Sequence, residues 1–216
     1  MLLKTNKLLW LFIYFLVLIW SAINPKDYPT WMLEVAPAII ALAVMAWTRT
    51  TFPLTPLLYV LILGHCIILM IGGHYTYAEV PLFDWLKEVF EMQRNNYDKI
   101  GHLAQGFVPA MVAREILLRL TLLTPGKMVF FIVCCIALAI SAVYELIEWW
   151  VALLSEEAAE AFLGTQGYVW DTQSDMFWAL TGAVVAQLLL GKFHDKQMKE
   201  LPKAYINIRT SPCSGA

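Results

Sequence analysis

The sequence is poor in charge: Asp, Glu, Lys and Arg make up only 15% of its 216 residues, against 60% hydrophobic ones. Soluble domains carry about 25% charged residues, so this chain lacks the polar surface that water on all sides demands. A formal net charge of −2, with no basic run beyond the short C-terminal tail, gives no footing for nucleic acid as a partner. Cysteine is scarce as well. Cys66, Cys134 and Cys135 fall inside apolar runs and Cys213 lies in the tail, which implies no disulfide framework. His-Glu-x-x-His, Cys-x-x-Cys and Walker-type motifs are absent, as are internal repeats and low-complexity segments. Ser141 stands one turn before Glu145 but has no nucleophile elbow around it, so serine chemistry has little support.

What is present is length without charge. The mean hydropathy is +0.63, and six apolar stretches, at about 8–24, 31–48, 55–73, 98–119, 128–154 and 173–191, approach the ~20 residues that a bilayer-spanning helix needs. The first follows Lys4 and Lys7 as a signal peptide would, but Trp20 occupies a position where cleavage wants a small residue, and Asn24-Pro25 reads as a helix exit. Trp10, Trp20, Trp31, Trp47, Trp149, Trp150 and Trp178 gather toward span ends or flanks, where interfacial aromatics sit. The expectation is an all-α polytopic membrane bundle of about six transmembrane helices. Residues 1–192 form its single domain, and 193–216 a cytoplasmic, poorly ordered basic tail.

Orientation follows from the basic residues. With the N-terminus inside, Lys4, Lys7, Arg49, Arg114, Arg119, Lys127, Lys192, Lys196, Lys199, Lys203 and Arg209 fall on the cytoplasmic side. Only Lys26, Lys87, Arg94 and Lys99 then face outward, so both termini are placed in the cytoplasm. The outer loops are the long ones. In 80–90, Leu82, Phe83, Leu86, Val89 and Phe90 keep a 3.6-residue period, the mark of an amphipathic helix lying on a leaflet.

The ionisable residues in and beside the spans carry the functional signal. Asp98 and His102, Glu145 and Glu148, and Asp171 and Asp175 are spaced i,i+3 or i,i+4, so each pair shares a helical face, and Gln105 extends the first. All three pairs fall toward the outer ends of their spans. An ionisable side chain at a helix centre costs roughly 2.5–3.5 kcal/mol to insert, so such residues turn toward protein or water and mark function. Asp98, Asp171 and Asp175 have a simpler use as helix caps, and the glutamates as a structural ion pair. Lys99, a histidine, a metal or a shared proton is the partner the glutamates need. His65 reads as a packing group, His74 as undecided, and His194 as solvated in the tail. Arg114 and Glu115 read as structural, snorkelling or paired near the inner face.

Carboxylates with one or two imidazoles suit a divalent cation such as Mg, Mn, Zn or Ca. His102, Glu145, Glu148, Asp171 and Asp175 are its candidate ligands. Asp98, Lys99, His102, Glu145 and Glu148 are the candidate catalytic groups, acting on a lipid or lipid-linked substrate that enters from the bilayer. Two alternatives stand beside this reading: a small proton-coupled carrier using Glu145 and Glu148, or a non-catalytic protein whose charges fix helix packing.

Several blocks carry a resemblance. Tyr97-Asp98-Lys99-Ile100-Gly101-His102-Leu103-Ala104-Gln105-Gly106-Phe107, Tyr144-Glu145-Leu146-Ile147-Glu148-Trp149, Gly164-Thr165-Gln166-Gly167 and Trp170-Asp171-Thr172-Gln173-Ser174-Asp175-Met176 resemble bacterial inner-membrane proteins of the YjdF type over nearly the whole chain. The resemblance implies a multi-pass protein of the bacterial inner membrane and assigns no reaction. More distantly, Asp98-Lys99-x-x-His102, a mid-helix Glu and Asp171-x-x-x-Asp175 are similar to the VanZ-like proteins linked to glycopeptide and lipopeptide resistance. That likeness implies a polar core of Asp98, Lys99, His102, Glu145 and Asp175. Glu148 is an addition to the pattern.

Overall fold

A computed structural model describes residues 2–154 and 169–201, and the described residues form seven helices and no strand. They are α1 (Leu2–Ala22), α2 (Tyr28–Thr48), α3 (Pro56–Tyr75), α4 (Pro81–Val89), α5 (Tyr97–Leu120), α6 (Lys127–Leu154) and α7 (Asp171–Glu200). The Gly164 to Gly167 block and residues 202–216 lie outside the described residues.

Local chemistry sets the boundaries. Asp27 caps α2 by accepting from the Thr30 N–H at 2.7 Å, with Pro29 in the first turn. Pro56 and Pro81 open α3 and α4, where a missing N–H costs nothing. At the end of α3, Thr76 and Tyr77 both take φ of 56°, and the Tyr77 N–H returns to the Gly72 carbonyl at 2.8 Å. Two successive non-glycine residues in the left-handed region store strain that the surroundings must hold.

Four helices have the length and hydropathy to cross a bilayer: α2, α3, α6 up to Leu153, and α7. The apolar part of α1, Lys7–Ala22, is shorter. The 24 residues of α5 are long enough, but Asp98, Lys99, His102, Arg114, Glu115 and Arg119 lower its hydropathy. Those charges are tolerable because α5 is enclosed by α3, α6 and α7. Large apolar side chains such as Phe12, Ile40, Val60, Phe131 and Leu188 point outward instead, as they do when lipid is the solvent.

The most extensive seam joins α5 to α7. A Cβ on Gly106 would lie 1.7 Å from the Ala179 carbonyl oxygen, and one on Gly182 2.1 Å from that of Leu103. Small residues at membrane-helix interfaces let backbones touch in this way. Ala110, Ala179, Ala183 and Ala186 are buried around the glycines.

The far end of α5 holds a second polar cluster. Glu115, fully buried, accepts from Thr55 Oγ1 at 2.7 Å, His194 Nε2 at 2.8 Å and Arg119 Nη1 at 2.5 Å. It also faces the Thr55 N–H at the start of α3, so a carboxylate from α5 satisfies a helix N-terminus. His194 was expected in solvent. It is fully buried, because α7 continues nine residues past the expected end of its span, to Glu200, and turns the ring inward. Thr55→Val keeps the shape and removes one charge-assisted bond, which is worth about 1.5–3 kcal/mol. Unfolding in detergent should show a loss of about 2 kcal/mol; no change would mean that the cluster is dispensable.

Candidate functional site

The cluster at the other end of the bundle is built on the α5–α7 seam. His102 stands one turn before Gly106 and Asp175 one turn before Ala179, so the close backbone approach of those two residues also brings the side chains one turn earlier together. His102 Nε2 lies 3.1 Å from Asp98 Oδ1 and 3.7 Å from Asp175 Oδ2. The ligand atoms of the three residues fall within 4.8 Å of one another, and among the described residues no other group is set out this way. Ligand atoms sharing one ion at ~2.1 Å in a tetrahedral arrangement are roughly 3.4 Å apart. The imidazole Nδ1 is 2.9 Å from Gln105 Oε1. An amide oxygen can only accept, so Nδ1 carries a proton; Nε2 donates to the Asp98 carboxylate when the ring is charged, and becomes a lone-pair ligand only where a cation takes the place of its proton.

Arg94, from the segment before α5, clamps the mouth. Its Nη1 donates to Asp171 Oδ1 at 2.8 Å and its Nη2 to Asp98 Oδ2 at 3.1 Å. Neither aspartate holds the N-cap position, which is Asn96 in α5 and Trp170 in α7, and neither helix has a side-chain capping bond there. Glu145 is buried, an electrostatic neighbour of His102, Asp98 and Asp171, and close to Thr172. Glu145 Oε1, Asp171 Oδ2 and Asp175 Oδ1 are buried without a hydrogen-bond partner. Buried polar atoms are nearly always satisfied, so three such oxygens around one imidazole leave acceptor capacity for a cation.

A cavity of about 200 Å³ opens beside this cluster, with Asp98, His102 and Gln105 on one wall and Glu34, Tyr144 and Glu148 among the residues of the others. Asp171, Asp175 and Glu145 are not among the residues lining this cavity. The Tyr144 hydroxyl donates to Glu34 Oε2 at 2.9 Å, linking α6 to α2. Tyr77 also faces Glu34, its ring held between Gly72 and Gly101, where a Cβ would come within 2.2 and 2.7 Å of it. Burial first, and the Glu34 charge second, raise the Tyr77 phenol well above its ordinary value, so it keeps its proton as a donor.

Of the candidate ligands, His102 and Asp175 meet, with Asp98 as the third member. Glu145 and Asp171 adjoin them, and Glu148 faces the cavity outside the ligand cluster. Lys99, half-buried, makes no ion pair among the described residues; Arg94 is the cation between the aspartates. His74 belongs elsewhere, with Nδ1 3.0 Å from the Ser21 carbonyl. His65 lines the cavity with Nε2 unpartnered. Glu34 and Arg94 were missed in the sequence. Glu34 is an acid inside the second apolar stretch, under the same insertion penalty as Glu145, and Arg94 precedes Asp98 by one turn.

Comparison with known proteins finds similar membrane proteins. The family model described as predicted membrane protein (DUF2238) matches residues 6–196. The chain is 54% identical over 184 residues to the inner membrane protein YjdF of Escherichia coli (strain K12), covering 85% of this chain and 88% of that one. No solved structure matches. The chain is an integral membrane protein and belongs to the DUF2238 family.

Proposed function

We propose that this is a multi-pass protein of the bacterial inner membrane, with α1 and α5 completing six spans and both termini cytoplasmic. Its extracytoplasmic chamber binds a divalent cation and acts on the phosphate-bearing head group of a lipid or lipid-linked substrate. One observation carries the reading: Asp98, His102 and Asp175 converge, with Gln105 holding the imidazole in the tautomer that a metal requires. The mixed nitrogen and oxygen donors favour Zn or Mn over a purely oxygen-seeking ion. Bound there, the cation would polarise a phosphoryl oxygen, and Glu148, across the cavity from His102, would serve as base. Lys99, next to Asp98 in sequence and acting on its charge, would help attract the anion. The absence of an extended seam between α2 and α6 among the described residues, bridged by Tyr144 and Glu34, supports entry from the bilayer.

Elemental analysis of protein purified without chelator tests this, with about one divalent cation per chain expected and cation-dependent thermal stabilisation after its removal. Substoichiometric metal together with no thermal response to Zn, Mn, Mg or Ca overturns it. Gln105→Ala should weaken the metal about 10- to 100-fold, the usual effect of losing the partner that orients a ligand, in a competition titration with a chromogenic chelator. Unchanged affinity would remove the tautomer argument.

A second reading rests on the same contacts, because a protonated His102 between Asp98 and Asp175 is also a proton-binding site, as in a small carrier. Proteoliposome flux driven by a pH gradient, without bound metal and lost in Glu145→Gln, would favour it.

A further inference from the structure

The geometry points to a second ligand site at the opposite end of the bundle, a basic pocket that takes the phosphate of an anionic phospholipid. It does not rest on the reading of the acidic chamber. A cavity of about 340 Å³ lies where the start of α6 meets α5 and α7. Arg114, Lys127 and Lys192 line it, against one carboxylate, Asp195. Arg114 is only 6% exposed, and its Nη2 pairs with Asp195 Oδ1 at 2.7 Å while Nη1 stands 3.3 Å from His194 Nδ1. That fixed guanidinium forms the floor, and the two exposed lysines form the rim. Gly191 keeps the floor clear, since the nearest atom a Cβ there would meet is Arg114 Nη2 at 3.9 Å. The 28-residue α6 directs its positive end and its first free N–H groups toward the same space.

The membrane-facing surroundings select a lipid over a soluble anion. Phe131 lies one turn beyond Lys127 and Leu188 one turn before Lys192, and both are more than 60% exposed, as is Met128. Acyl chains can therefore run along α6 and α7 from a head group seated between the lysines. Basic pockets between transmembrane helices bind anionic head groups in this manner, and each Lys near an anionic surface contributes about a fivefold gain in affinity.

The test uses the full-length protein in detergent. Native mass spectrometry and thermal shift follow added phosphatidylglycerol, phosphatidylcholine and inorganic phosphate. Phosphatidylglycerol should bind and stabilise, phosphatidylcholine and inorganic phosphate should not, and Lys127→Gln with Lys192→Gln should weaken phosphatidylglycerol about thirtyfold. Lys196→Gln with Lys199→Gln removes the same charge from exposed positions of α7 outside the pocket and should leave binding unchanged. Equal effects of the two double variants would reduce the site to general surface charge and overturn it. Stabilisation by inorganic phosphate equal to that by the lipid would overturn the lipid assignment.

Discussion

Asp175→Asn and His102→Ala are each expected to cut the proposed divalent-cation affinity by at least about 100-fold, and either change should abolish whatever activity the chamber supports. The size follows from removing a whole donor, since loss of an outer-shell partner alone already costs about 10- to 100-fold. Asp175 is 2% exposed and His102 7%, so water has little access to fill the coordination position that either change vacates. Asn at position 175 keeps volume and one oxygen but loses the charge that offsets the ion, which separates electrostatics from packing. Calorimetry on metal-free protein reads the affinity, and circular dichroism checks that the helices persist. Binding should also weaken as pH falls, because ligands must be deprotonated to coordinate. Wild-type affinity in both variants would sink the metal assignment, since no second donor set of this kind exists among the described residues.

The two substitutions also test what reached the site from sequence. The helices were legible because charge is so rare: every apolar run between Pro, Gly or charged breakers became a helix, including the amphipathic 80–90 segment as α4. The i,i+4 spacing of Asp98 with His102, and of Asp171 with Asp175, put each pair on one face before any contact was known. What spacing cannot give is which faces oppose one another. Glu34 comes from α2, distant in sequence, and meets Tyr144 of α6 across 110 residues. Arg94 looked like one of four outward-facing cations, yet its two charge-assisted bonds to Asp98 and Asp171 require α7 to begin beside α5. His194 misled for a related reason. The residues around it are charged, and only the continuation of α7 against Glu115 makes its burial tolerable.

Gly106→Ala is the second large effect, and it reaches the site without touching a ligand. On an isolated helix the change would favour folding by about 0.5–1 kcal/mol, because glycine loses more backbone entropy than alanine. Here the added methyl would sit 1.7 Å from the Ala179 carbonyl oxygen, and a backbone atom in a packed seam cannot rotate away. The helices must separate by more than 1 Å, which exceeds the usual 1–3 kcal/mol of an overpacked side chain, so destabilisation of about 3 kcal/mol or more is expected. Because His102 and Asp175 lie one turn from the contact, the same displacement widens their 3.7 Å separation. Cation affinity should therefore fall together with thermal stability. Gly64→Ala is the control, with nothing within 4 Å of the added atom, and it should be neutral or stabilising with full affinity. If Gly106→Ala behaves like Gly64→Ala in both measurements, the α5–α7 seam is looser than described and does not position the site. If stability falls while affinity holds, the seam supports the fold but the ligands are placed by Arg94 and Gln105 instead.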